Sequence, residues 1–77
     1  MSATMKLVPE LDFGGGVKLV YTGKFHKLTC RPTRTGHREE LLIGELTVPA
    51  DMTDDDCKAE LLADAEVGGW IRGKIGG

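Results

Sequence analysis

His26, Cys30, His37 and Cys57 carry the side chains that bind transition metals or attack electrophiles. If residues 24–30 form a strand, His26, Leu28 and Cys30 share one face and Phe25, Lys27 and Thr29 the other, because side chains alternate along an extended chain. Structural zinc sites, however, draw paired ligands from tight knuckles such as Cys-x-x-Cys, and that spacing is missing here. The set therefore reads as a partly buried histidine and two core thiols. Cys57 follows three aspartates, whose charge disfavours a thiolate, so it is a poor nucleophile. Glu39-Glu40 and Asp54-Asp55-Asp56 have the charge for acid–base or divalent-metal chemistry, but a solvated strand edge and a helix N-terminus need the same residues. Neither an enzyme nor a cofactor is expected.

Gly14-Gly15-Gly16 suggests a loop that cradles phosphate, yet it lacks the Gly-Lys-Ser/Thr ending and the strand–turn–helix setting that make such loops work. It reads as a hinge. Residues 1–16 accordingly read as a flexible arm, with Met5, Leu7 and Val8 able to make a short edge strand before Pro9 interrupts pairing. Residues 17–77 form the expected single small domain.

Charge is the most uneven property of the chain. Its net value is only -2 and its isoelectric point about 5.6. From Val17 to Arg38, however, every charged residue is basic (Lys18, Lys24, Lys27, Arg31, Arg34, Arg38), whereas Glu39 to Glu66 holds ten acids against Lys58 alone. Such asymmetry between blocks points to interaction surfaces of opposite sign.

The elements that must carry these charges follow from periodicity. Val17, Leu19 and Tyr21 alternate with Lys18 and Val20 as one strand, and Lys24 to Cys30 makes a second. Arg31 to Gly36 is turn chemistry, with Pro32 and Gly36 presetting backbone angles. A third strand spans about Arg38 to Val48, where Gly44 marks a bulge or a close backbone approach. Thr53, with Asp56 three residues on, caps a helix whose stripe is Cys57, Leu61, Leu62 and Ala65. Gly68-Gly69 offers a cap that would leave residues 70–75 as a short extended segment, but the same spacing continues through Gly68, Ile71 and Ile75, so the choice stays open and leans only slightly to one longer helix running through both glycines at about 1 kcal/mol each.

The predicted fold is α+β: a three-stranded antiparallel meander over residues 17–48, packed on one face by a single C-terminal helix. Its core is Leu19, Leu28, Ile43, Leu46, Leu61, Leu62, Ala65 and Ile71. At 77 residues only about 60% of the unfolded surface can be buried, so stability is modest. The first residues hold no apolar run of the length a signal peptide needs, and nothing later approaches a membrane span. A cytoplasmic monomer or small homo-oligomer with reduced cysteines is expected.

Two functional readings follow. The first is a non-enzymatic interaction module, an inhibitor, adaptor or regulator, that docks an acidic helix face (Asp54, Asp55, Glu60, Asp64) on a basic protein surface such as that of a nucleic-acid-handling machine. The alternative is a nucleic-acid binder that lays the basic hairpin (Lys24, Lys27, Arg31, Arg34, Arg38) along phosphates.

Overall fold

Leu11, Leu19, Leu28 and Leu41 stand side by side in one row across four antiparallel strands, and this row is the floor of the core. The computed structural model describes residues 4–76. Its sheet runs in the order β2 (Leu11–Gly14), β3 (Val17–Tyr21), β4 (His26–Thr29), β5 (Glu40–Gly44). Alternation sets its two faces. The neighbouring row, Asp12, Lys18, Thr29 and Glu40, turns polar side chains away from the core.

The sheet has four strands rather than the three expected, and the additional one comes from the segment read as an arm. Leu11 is only 4% exposed and so is Val8, which places the N-terminal segment in the core. Residues 1–3 of that segment and Gly77 lie outside the described residues. The glycine run is the β2–β3 turn instead of a hinge: Gly14, Gly15 and Gly16 all take positive φ, a region that costs a side-chain-bearing residue strain. The Asp12 carboxylate holds this turn by accepting from the Gly14 amide at 2.8 Å.

The expected third strand is two strands. After Gly44 (φ 93°) the chain bends through Glu45 and Leu46 and resumes as β6 (Thr47–Pro49), which pairs antiparallel with β1 (Met5–Leu7). Since β1 runs into one edge strand of the large sheet and β6 leaves the other, this ribbon ties the two edges together.

The C-terminal part also divides, giving two helices where one was expected. Thr53 caps α1 (Asp54–Ala63) through its hydroxyl, which accepts from the Asp56 amide at 3.1 Å. At Asp64 the backbone turns extended (ψ 133°), and the Asp64 carboxylate accepts from the amides of Glu66 and Val67, both at 2.9 Å, starting α2 (Ala65–Gly76). Gly68 and Gly69 do lie within a helix. A Cβ on Gly68 would collide with the Leu62 carbonyl oxygen, so the bare glycine is what lets the end of α1 fold down onto α2. Arg72 then donates to that same carbonyl at 2.8 Å.

Leu19, Leu28 and Ile71 are fully buried, as expected. Ile43, Leu46, Leu61 and Leu62 are half-buried against that centre, and Ala65 is exposed because the break at Asp64 turns the first residue of α2 to solvent. Val8, Leu11, Val17 and Cys57 complete the buried set. Among the described residues no helix is long and apolar enough to cross a membrane.

Candidate functional site

The imidazole of His26 is wholly buried, and backbone groups take both of its nitrogens. Nε2 lies 2.8 Å from the Val8 carbonyl oxygen, and Nδ1 accepts from the Leu46 amide at 3.0 Å. The donor at Nδ1 fixes the tautomer: the proton sits on Nε2 and points at Val8. The Val8 amide in turn donates to the Leu46 carbonyl at 3.1 Å. His26 therefore joins the β1–β2 corner to the β5–β6 corner, and neither ring nitrogen has a lone pair to offer a metal. The other three members of the set lie apart from one another in environment. Cys57 is buried on α1, His37 is exposed in the β4–β5 loop, and Cys30 directs its thiol to the Glu39 carbonyl at 3.4 Å. Burial is the main cause pushing the Cys57 thiol above its ordinary pKa, with Asp54 and Asp56 adding to it and Lys6 opposing it.

The acidic residues divide into two groups. Glu60 and Asp64 sit at the edge of an apolar cleft of about 210 Å³ between α1, α2 and the β5–β6 corner, floored by Val8, Ile43, Leu46, Leu61 and Val67. Cys57, Glu60, Leu61 and Asp64 reach it together because residues three and four apart share a helix face. Asp54 and Asp55 lie in the first turn of α1, outside the cleft lining, and Asp55 is 3.8 Å from Lys58. Among the described residues Glu60 enters no ion pair. Asp64 has one carboxylate oxygen committed to starting α2.

The basic hairpin divides as well. Lys27 lies on the outer face of the sheet and pairs with Glu40 at 2.8 Å across β4 and β5. Lys24 is exposed in the turn before β4, and Arg31 follows β4 at its far end, roughly 20 Å away for an extended chain. Arg34 occupies the tip of the β4–β5 loop, where the Gly36 amide closes a turn on Thr33 at 2.9 Å. Arg31 and Arg38 instead meet the glycine turn: both line an open hollow with Gly14, Gly15, Gly16 and Lys18.

Comparison with protein-family models, curated proteins and solved structures gives no match. The chain's own geometry therefore carries the functional reading. Three participants escaped the sequence reading. Lys74, a basic residue near the end of the chain with no motif around it, forms an ion pair with Glu39 at the edge of a second hollow. Val67 lines the cleft only because α2 turns back at Asp64. An aspartate just before Ala65-Glu66-Val67 is itself a helix-start signal, and the uninterrupted stripe of Leu61, Gly68 and Ile71 outweighed it. The glycine turn gave a signal through its three consecutive glycines, but its neighbours in space come from residues 31 and 38, far along the chain.

Proposed function

We propose that the protein is a non-enzymatic docking module that captures an apolar side chain of a basic partner segment in the cleft between α1, α2 and the β5–β6 corner. The observation that carries this reading is the pairing of an apolar floor with unneutralised carboxylate at its edge. A dry cavity of about 150 Å³ accommodates benzene, so about 210 Å³ leaves room for one aliphatic or aromatic anchor. Glu60 then selects a neighbouring Lys or Arg on the partner, giving the association its orientation. Asp54 and Asp55 act at longer range by attracting basic surfaces. The raised pKa of Cys57 keeps the one thiol in the cleft wall protonated, which fits binding rather than nucleophilic chemistry. An inhibitor or adaptor of a basic machine needs no more than this surface.

The test is an NMR titration with short peptides that place one Leu, Phe or Trp between Lys and Arg residues. Amide shifts at Ile43, Leu46, Leu61 and Val67 are expected, and Glu60→Lys should weaken binding about tenfold, the loss of one oriented charge contact. Reversing Asp54 and Asp55 as well should slow association further, with circular dichroism used to separate that effect from damage to the start of α1. Peptides that leave the cleft amides unmoved, or bind Glu60→Lys as well as the parent, would overturn the reading.

A further inference from the structure

The opposite end of the molecule has a second character, independent of the cleft. Two open hollows, of about 520 and 550 Å³, lie side by side and share Gly15, Cys30, Arg31 and Pro32 as common walls. The stem of Arg31 crosses directly over Gly16, where a Cβ would collide with it, so the glycine both permits the tight turn and seats the arginine. Gly15 packs against Ile75 of α2, with a Cβ position 3.2 Å from that side chain, which fixes the turn against the helix. The hollows are therefore built from a braced turn, one exposed loop and the end of α2.

Their walls hold four basic side chains (Lys18, Arg31, Arg38, Lys74) and two acidic ones (Asp12, Glu39), a local charge of +2 on a chain whose net charge is -2. Both carboxylates are engaged: Asp12 holds the Gly14 amide and Glu39 pairs with Lys74. Among the described residues Lys18, Arg31 and Arg38 have no ion-pair partner. Three unmatched cations around a concavity raise the local concentration of anions, and two of them are guanidinium groups, whose flat fork matches phosphate oxygens.

We infer that this basic end binds the phosphodiester backbone of single-stranded nucleic acid through its phosphates, without regard to base sequence. The cations line concavities, which a flexible strand can enter and a stiff duplex cannot follow. Among the described residues no aromatic side chain lines either hollow, so bases have no stacking platform here and the affinity is electrostatic. Lys24, Lys27 and Arg34 lie outside both hollows and take no part.

Fluorescence anisotropy tests this with the full chain and a labelled mixed-sequence oligonucleotide of about 20 nucleotides. Between about 20 and 200 mM NaCl, three neutralised phosphates give a log–log slope near -2, and Arg31→Ala with Arg38→Ala flattens it to about -0.7. That double variant should also bind at least about tenfold more weakly at the lowest salt, whereas Lys24→Ala and Glu60→Lys should not bind more weakly than the parent. Absence of binding at roughly 100 µM protein and low salt would overturn the inference. So would equal affinity for a duplex of the same sequence, for polyglutamate of matched charge, or for the double arginine variant.

Discussion

The two ends of this protein use polar groups in opposite ways. Around His26 each polar atom has a buried partner: the ring nitrogens engage Val8 and Leu46, and those two residues bond to each other. Among the described residues the cations of residues 18, 31 and 38 around the glycine turn have no ion-pair partner, and every residue from Arg31 to Glu40 is exposed. Buried, satisfied polar groups specify a single arrangement and are costly to disturb, while exposed, unsatisfied charges add little to folding and remain free to bind. Satisfied buried polar groups and free cations thus reside in different places. Changes to the His26 network should act on folding, whereas changes to the cations of the glycine turn should act on binding and spare the fold.

The largest effect should come from His26→Ala. It leaves the Val8 carbonyl and Leu46 amide unpaired at about 1–3 kcal/mol each and opens a cavity besides, so a loss of about 3–5 kcal/mol is expected in urea denaturation. For a chain of this length, total stability is on the order of 4–11 kcal/mol, so the variant should be close to unfolding. A loss under about 1 kcal/mol, with the ribbon amides still protected from exchange, would break the comparison at its strong end.

Adjacent glycines in α2 sharpen it further. Gly68→Ala drives a methyl into the Leu62 carbonyl and should cost about 1–3 kcal/mol, whereas a Cβ on Gly69 meets nothing within 4 Å. Gly69→Ala should therefore stabilise by about 0.4–1 kcal/mol through helix propensity. Thermal melts of the two single variants moving in opposite directions would confirm that the elbow between α1 and α2 is set by contact and not by glycine flexibility. The smallest effect belongs to Arg31→Ala with Arg38→Ala, whose midpoint in urea should stay within about 0.5 kcal/mol of the parent. A larger loss would mean that the basic end also supports the fold.

Legibility in the sequence varied with the distance over which each feature is determined. Val17–Tyr21 and the start of α1 at Thr53 were readable because alternation and capping depend on residues within one turn or one strand. Leu19, Leu28 and Ile71 were readable as core for the same reason. Of the four acidic residues that the helix pattern groups together, Glu60 and Asp64 flank the cleft, whereas Asp54 and Asp55 share their charge and not their setting. Likewise the basic block looked continuous along the chain, and strand pairing separated it by giving Lys27 a partner in Glu40 and sending Lys24 to the far end.

The sequence by itself determined the α+β composition, the antiparallel strands joined by glycine-bearing turns, the helix start and the division of charge into a basic and an acidic block. Only the tertiary structure decided that Val8 and Leu11 belong to the core, that β1 closes on β6, and that the helix breaks at Asp64. The same holds for the gathering of Lys18, Arg31 and Arg38 around the glycine turn. The physical reason is the span of the interactions: the groups bonded to His26 are 18 and 20 residues away, and Leu62 meets Gly68 only after the chain has turned back on itself. Local preference sets the identity of an element, whereas partners brought together from distant parts of the chain set where it ends and what it faces.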